Sequence, residues 1–220
     1  MGTLLRKIKT IIRGQSFIGS QEYWEQRYAT GGNSGAGSYN RLAEFKAEVI
    51  NNFIKENDIK TIIELGCGDG NQLSYMNYPS YIGLDVSKTI IKSCKDKFKE
   101  DKTKSFYIYD SFSCVDNHGL FTAELSLSLD VIYHLVENEI FESYMYQLFK
   151  SGSKHVIIYS SDFEDDQVYH EKNRNFTKWV NSSIAGWTLV KKIKNKYPLD
   201  PSRRHDTSKA DFFIYSKNEI

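Results

Sequence analysis

One stretch of the sequence, TIIELGCGDGN at residues 61–71, constrains the fold more than any other. Its apolar, β-branched first half predicts a buried strand that ends near an acid, Glu64. Glycines at positions 66, 68 and 70 follow, and without a Cβ they let the backbone turn tightly and approach a ligand closely. A helix that starts after such a turn presents free N–H groups. The pattern therefore predicts a strand–turn–helix unit beside a ligand site.

Short apolar runs alternate with helical patterns along the rest of the chain. Strands are predicted at residues 61–65, 81–85, 105–109, 124–129, 155–160, 187–193 and 211–216. Helices are predicted from about residue 42 to 56, at 72–77, 87–100 and 137–150, and around Trp179. This alternation predicts an α/β fold with a doubly wound, mostly parallel sheet and helices on both faces. With 220 residues, the chain is expected to form a single domain over 1–220.

Composition excludes several classes of protein. Lys and Arg number 29 against 28 Asp and Glu, a net charge of +1, whereas proteins that bind nucleic acid through its phosphates are usually basic. No apolar run reaches the roughly 18–20 residues of a membrane span. The three cysteines have neither disulfide-scaffold nor metal-ligand spacing. We therefore expect no bound metal and a reducing, cytoplasmic environment.

Acids stand at the ends of three predicted strands. Dinucleotide-binding turns usually read GxGxxG, whereas this turn reads GxGxG with Glu64 just before it. The Glu64 carboxylate would repel a pyrophosphate and attract an ammonium group, which favours an amino-acid-bearing nucleotide over NAD. Asp85, at the end of the second strand, is placed to accept both hydroxyls of a ribose. Asp110, followed by Ser111 and Phe112, is placed to receive an adenine amino group.

The segments ELGCGDG, GLDVS and YDSF resemble the cofactor motifs of class I S-adenosylmethionine (SAM)-dependent methyltransferases, and the resemblance extends over residues 22–215. It implies a Rossmann-like fold with seven strands, of which the last is antiparallel, and SAM as the cofactor. The methionine part would lie along Glu64 and residues 66–70, the ribose at Asp85 and the adenine at Asp110. The residues assigned to the cofactor from these motifs are Glu64, Gly66, Cys67, Gly68, Asp85, Val86, Asp110 and Ser111.

A narrower resemblance concerns the segments YWEQRY, GGNSGAGSY, SLDVIYHLVE and VIIYSSDF and the closing WTLV and KYP. These look like a group of bacterial methyltransferases that are often encoded among genes for capsule or O-antigen polysaccharides. The resemblance implies a small-molecule acceptor, either a sugar or a phosphorylated precursor.

The fourth strand leads into LDVIYHL at residues 129–135, and the carboxyl ends of strands in a doubly wound sheet open onto the ligand crevice. His134 is a candidate general base, because an imidazole with a pKa of about 6.5 can remove a hydroxyl proton near neutral pH. The alternative is a histidine held by hydrogen bonds beneath the cofactor. Tyr133 would stack or donate a hydrogen bond in the catalytic site, and Asp130 would orient the loop or the cofactor.

An aromatic and glycine-rich segment, residues 21–40, is expected to form a lid. Trp24, Arg27 and Tyr28 precede a loop with four glycines, which is predicted to lack regular structure. Arg27 would pair with the carboxylate of the cofactor, and an aromatic side chain such as Trp24 would face the sulfonium. The alternative is a helix that packs on the sheet for structural reasons alone. Tyr39, at the end of the loop, is a candidate substrate contact.

Cations gather in residues 161–209, the predicted acceptor-site region, where they would suit an anionic acceptor. Among them His170, Arg174 and Arg203 are the candidate substrate contacts. The alternative is an ordinary scatter of surface cations. The full set is His170, Lys172, Arg174, Arg203, Arg204 and His205.

The expected reaction is transfer of a methyl group to an oxygen of the acceptor. N-methylation of an amino sugar, a nucleic-acid methyltransferase, a non-catalytic SAM-binding module and a nicotinamide oxidoreductase are the alternatives. The balanced charge and the lack of an N/D-P-P-Y/F stretch argue against nucleic acid as the acceptor.

The first residues form a separate amphipathic segment, 1–20. In residues 1–13, leucines and isoleucines share one helical face while arginines and lysines stay polar. The segment would dock on its own domain, contact an anionic membrane surface, or contact a partner subunit, for example in a homodimer.

Overall fold

The structure is a computed structural model in which residues 17–110 and 112–218 are described. The expectations for residues 1–13 and for Ser111 fall outside this part of the chain. The strands are β1 (Ile62–Leu65), β2 (Tyr81–Asp85), β3 (Lys104–Ile108), β4 (Ala123–Leu129), β5 (Gly152–Ser160), β6 (Trp187–Ile193) and β7 (Asp211–Lys217). The α-helices are α1 (Ser20–Ala29), α2 (Asn40–Glu56), α3 (Lys88–Lys97), α4 (Asn138–Ser151) and α5 (Phe176–Ser183). Short 3-10 helices lie at Ala36–Ser38, Gln72–Tyr75 and Ile132–His134.

The strands form one sheet in the order β3-β2-β1-β4-β5-β7-β6. β1 pairs in parallel with both β2 and β4, and β5 continues the parallel arrangement beyond β4. β7 runs antiparallel to both of its neighbours, β5 and β6. The predicted mostly parallel sheet with an antiparallel last strand is therefore confirmed. Because the order of the strands reverses between β1 and β4, their carboxyl ends border a crevice suited to a ligand.

Helices cover both faces of the sheet, as predicted. Successive strand residues point to opposite faces, so Ile62 belongs to one apolar cluster and Ile63 to the other. The Ile62 cluster includes residues of α2 and α3, such as Ile50 and Cys94. The Ile63 cluster includes residues of α4 and α5. Burial on both faces explains why the central strands are nearly continuous in apolar residues.

Two predictions about local structure were only partly correct. The segment 72–77 forms only the 3-10 helix Gln72–Tyr75, because Met76 is already extended and Pro79 follows shortly after. The glycine-rich loop is not wholly irregular, since it contains the 3-10 helix Ala36–Ser38. Over the residues that the structure describes, no helix is both long and apolar enough to cross a membrane.

Candidate functional site

A cavity of about 100 Å³, here called the inner cavity, lies at the carboxyl ends of the first four strands. It is bordered by the turn after β1, the residues that end or follow β2 to β4, and side chains of α1 and α2. Its lining includes Trp24, Tyr28, Ser34, Lys46, Glu64, Gly66, Cys67, Gly68, Gln72, Asp85, Val86, Tyr109, Asp130, Val131 and His134. Many of the predicted cofactor residues are therefore brought together.

Glu64 is a buried acid near the end of β1. The Tyr81 hydroxyl donates a hydrogen bond of 2.7 Å to its Oε2. Burial raises the pKa of Glu64 to about 7, although the Tyr81 bond and the charge of Lys46 oppose the rise. The carboxyl group is therefore poised to change its charge near neutral pH.

Asp85 ends β2 and is also buried. Its Oδ2 accepts a hydrogen bond of 3.0 Å from the Gly68 N–H, and its Oδ1 accepts one of 2.9 Å from the Ser87 N–H. Burial raises its pKa to about 6, and the backbone donors limit the rise. These bonds fix the carboxylate between the glycine turn and the start of α3.

The glycine turn is not built to bind phosphate. The N–H groups of Gly66 and Cys67 both donate to the Leu84 carbonyl, at 2.7 and 3.0 Å, and the Gly68 N–H donates to Asp85. A phosphate bound at such a turn would need these donors. Gly66 has a φ of +83°, and a Cβ there would lie 2.5 Å from Val131 Cγ2. The glycine thus serves close packing against the loop after β4.

A second cavity of about 370 Å³, the outer cavity, adjoins the first. Trp24, Ser34, Asp130 and His134 line both cavities. These residues form the junction between a narrow acidic pocket and a wider polar one. A group held in the inner cavity could therefore react with a molecule in the outer cavity at this junction.

His134 ends the 3-10 helix that follows β4. Its Nδ1 lies 3.2 Å from the His170 carbonyl oxygen. Because a carbonyl can only accept, this hydrogen bond places the proton on Nδ1 and leaves the lone pair on Nε2. The ring stacks on that of His170 at 5.1 Å and meets the Trp24 ring edge-on at 5.0 Å. Burial lowers the pKa of His134 to about 4, so the imidazole is neutral at physiological pH.

Asp130 lies at the junction with a φ of +60°, an uncommon conformation for a residue with a side chain. Its Oδ1 accepts a hydrogen bond of 2.8 Å from the Tyr133 hydroxyl. Its Oδ2 lies 2.7 Å from Lys46 Nζ, and in this ion pair Lys46 is buried while Asp130 keeps a small exposed area. Gly37 passes so close that a Cβ would lie 2.6 Å from the carboxylate. Lys46 was not predicted as a site residue.

Asp69 joins the glycine-rich loop to the glycine turn. Its Oδ2 accepts hydrogen bonds from the Ser34 N–H at 2.9 Å and the Tyr39 hydroxyl at 2.8 Å. Its own N–H donates to Ser34 Oγ at 2.8 Å. Tyr39, predicted to contact substrate, is thus engaged by Asp69 and lines neither cavity.

The first part of the predicted lid segment forms α1, and side chains of this helix bond to the glycine-rich loop and to the start of α3. Trp24 lines both cavities, but Arg27 lines only the outer one and donates from Nε to the Asn33 carbonyl at 2.7 Å. Glu25, which was not predicted, accepts hydrogen bonds from the hydroxyls of Ser87 at 2.5 Å and Thr89 at 2.6 Å. Arg27 therefore braces the loop, and Glu25 joins α1 to the start of α3.

Two of the predicted substrate cations lie outside both cavities. Arg174 is buried, and it donates to the carbonyl oxygens of Leu135 at 2.5 Å and Val136 at 2.7 Å. Arg203 lies on the surface, 3.3 Å from Asp206. Their positions give no support to a role in substrate binding. His170 does line the outer cavity, together with Arg204 and Lys209.

Asp110 accepts hydrogen bonds from the N–H groups of Phe112 and Ser113 and is not among the described residues that line the inner cavity. After β3, the residue that lines the cavity is its buried neighbour Tyr109. The assignment of Asp110 to adenine stays a prediction. Across the described residues, no group of three or more His, Cys, Asp or Glu side chains is arranged to hold a metal ion.

The strand order and the crevice at its reversal define the Rossmann-like fold of class I SAM-dependent methyltransferases. The N-methyltransferase NodS from Bradyrhizobium japonicum WM9, solved with S-adenosyl-L-homocysteine (SAH), is similar with a TM-score of 0.70 at 13% identity, over 91% of this chain and 99% of that one. Magnesium protoporphyrin IX methyltransferase (ChlM) from Synechocystis PCC 6803, also with SAH, has a TM-score of 0.59 at 13% identity, over 96% and 100% of the two chains.

The methyltransferase domain of the bacterial protein CtHen1 is similar with a TM-score of 0.63 at 20% identity, over 81% of this chain and 100% of that one. No protein-family model matches the chain, and no curated protein sequence does. At these levels of identity, the likeness to solved structures shows the fold.

Proposed function

We propose that the chain is a SAM-dependent methyltransferase that binds SAM in the inner cavity. The lining fits this cofactor, because it has buried acids at the ends of β1 and β2 that can accept hydrogen bonds, and the N–H groups of the glycine turn already bond within the protein. Glu64 would accept from the amino group of the methionine part, and Asp85 would accept the ribose hydroxyls. When bound, SAM would supply an activated methyl group on its sulfonium.

The junction of the two cavities is the observation that carries the proposal. An acceptor in the outer cavity would meet the methyl group beside Trp24, Asp130 and His134. His134 would take the proton of the acceptor hydroxyl on Nε2, because its Nδ1 is engaged with the His170 carbonyl. Asp130, held by Tyr133 and Lys46, would position this part of the site. The protein thus positions the reactants, excludes water and removes a proton.

The proposed acceptor is a sugar or a phosphorylated precursor of a bacterial surface polysaccharide, including a phosphoramidate. The narrower sequence resemblance supports this class. The outer cavity supports it too, since Arg27, Arg204 and Lys209 line it and would attract an anionic group. Lys209 is already paired with Glu171 at 2.8 Å, so Arg27 and Arg204 would make the main contribution.

N-methylation of an amino sugar is the second candidate. The outer cavity also contains Asp165, whose carboxylate would attract an ammonium group, whereas the carboxylate of Glu171 is paired with Lys209. NodS, whose fold is similar, is an N-methyltransferase.

A turnover assay with a panel of acceptors tests the proposal. The purified protein is incubated with SAM and sugars, sugar phosphates or amino sugars, and the release of SAH is measured. Mass spectrometry then shows whether the added methyl group is on oxygen or nitrogen. We expect release of SAH with a phosphorylated sugar. Binding of SAM without release of SAH across the panel would favour a non-catalytic SAM-binding module.

A further inference from the structure

Lys46 is a completely buried lysine on α2, with an exposed fraction of 0%. Its Nζ lies 2.7 Å from Asp130 Oδ2 and 5.2 Å from the centre of the Tyr159 ring. Lysine is almost never fully buried unless its charge is paired. The position of this side chain therefore depends on the acids around it.

The inner cavity contains a marked excess of acids. Within its described lining, Lys46 is the only lysine or arginine, whereas Glu64, Asp85 and Asp130 are all present. The charge of Lys46 acts on two of these acids, since it pairs with Asp130 and lowers the pKa of Glu64 against the effect of burial. One ammonium group thus stabilises negative charge at the end of β1 and after β4.

We propose that Lys46 is a positioning residue that fixes Asp130 at the junction and, as the cation in the described lining of the inner cavity, favours the charged form of Glu64. The inference rests on the proposed function where it concerns the cofactor. If Glu64 accepts from the amino group of SAM, Lys46 sets the lowest pH at which the inner cavity binds SAM tightly.

Other ionisable groups lie around Glu64 and Lys46, and the test has to take them into account. The tyrosines and the cysteine are neutral at physiological pH, because burial raises the pKa of each tyrosine and a hydrogen bond with Cys94 raises that of Cys67. Asp85 carries negative charge that adds to that of Glu64. The groups are Cys67, Tyr78, Tyr81, Asp85, Tyr133, Tyr144 and Tyr159, together with His134, on which the charge of Asp130 acts.

The first test is the pH dependence of SAH affinity, measured by calorimetry between pH 6 and 9. In Lys46→Met, loss of the ammonium group should raise by about one unit the pH below which SAH affinity falls, so that binding is roughly fivefold weaker at pH 7 and roughly tenfold weaker at pH 6. Lys55→Met is the matched control, because Lys55 lies exposed on the same helix. It should bind SAH as the natural protein does.

The second test uses the protein without cofactor. The pKa of Glu64 is raised in the folded state, so its contribution to stability is present at low pH and is lost as the pH rises toward about 7. Lys46→Met should extend the loss of stability to higher pH. The decrease in Tm relative to the natural protein should therefore be larger at pH 8 than at pH 5. Lys46→Met with Asp130→Asn removes the unpaired carboxylate and gives a second variant if the single one does not fold.

The binding test and the stability test distinguish failure of the role of Lys46 from failure of the proposed function. If Lys46 only fills space, the Tm drop will be the same at all pH values and the pH profile of SAH binding will keep its position, which overturns the inference. If the natural protein binds no SAH, the proposed function fails. The Tm profiles of Lys46→Met and of the double variant still decide whether Lys46 favours the charged form of Glu64.

Discussion

His134 is held in place by contacts that also weaken it as a base. The His170 carbonyl fixes the proton on Nδ1, and burial among aromatic rings lowers the pKa to about 4. A base with this pKa is unprotonated throughout the neutral range, although it attracts a proton less strongly than a free imidazole. Its contribution would therefore depend on position more than on basicity.

Replacing His134 with Ala should lower kcat by about 10²–10⁴-fold while leaving SAH affinity largely unchanged, since the cofactor contacts that we propose lie at Glu64 and Asp85. In the natural protein, kcat at saturating substrate should fall only as the pH approaches about 4, where His134 becomes protonated. Steady-state kinetics between pH 4.5 and 8 measure both effects. His118→Ala, on the exposed surface, is the control. An unchanged kcat in His134→Ala would rule out the base.

Single residues were predictable where a strand end determines their position. Glu64 and Asp85 line the inner cavity because the carboxyl ends of β1 and β2 are neighbours in a parallel sheet. Arg174 was not predictable, since its partners are carbonyl oxygens almost 40 positions earlier in the chain. Lys46 did carry a signal. It lies four residues after Leu42 and four before Ile50, on the apolar face of α2, where a lysine needs a partner.

At the scale of elements, the site depends on how the segment before β1 is joined to the sheet. Asp69 bonds the glycine-rich loop to the turn after β1, and Glu25 bonds α1 to the start of α3. Both connections lie beside the inner cavity, which is partly covered by Trp24 and Ser34. Side-chain hydrogen bonds therefore hold the segment that borders the inner cavity.

Asp69→Ala should free the loop at residues 30–39, because it removes the acceptor for Ser34 and Tyr39. We expect faster hydrogen–deuterium exchange in this loop and a loss of stability of about 1–3 kcal/mol. Mass spectrometry of the exchanged peptides and thermal unfolding provide the measurements. Asp96→Ala, at an exposed position on α3, is the matched control. Exchange in the loop as slow as in the control would contradict this role of Asp69.

The elements themselves were largely predictable, because burial on both faces makes each central strand a continuous apolar run. The segment after the glycine turn was not. Its sequence allows helical periodicity over 72–77, but only a few residues separate the turn from Pro79, and the chain forms the 3-10 helix Gln72–Tyr75. Short segments have too few residues for periodicity to distinguish one kind of helix from the other.

For the whole molecule, the net charge of +1 results from charges that are separated in space. Acids dominate the inner cavity, whereas Arg27, Arg204 and Lys209 line the outer one together with a similar number of acids. The charge of the outer cavity is thus more balanced than the sequence predicted, because the buried Arg174 and the surface Arg203 do not contribute to it. Only the placement of side chains in the fold reveals this difference.

Arg204→Ala and Arg203→Ala form a matched pair of neighbouring variants. Arg204 lines the outer cavity and Arg203 does not, so only Arg204→Ala should raise KM for a phosphorylated acceptor, by about tenfold or more. Both variants should bind SAH as the natural protein does. Steady-state kinetics with a sugar phosphate measure the effect. Equal KM values for the two variants would contradict an anionic acceptor at Arg204.

The central claim is that the inner cavity binds SAM through acids at the strand ends. Calorimetric titration with SAH tests it most directly, with the Asp85→Ala variant measured alongside the natural protein. We predict binding of one SAH per chain and an affinity at least roughly tenfold weaker in Asp85→Ala, because the ribose would lose a charged acceptor. Absence of SAH binding by the natural protein, or equal affinity in the variant, would contradict the account.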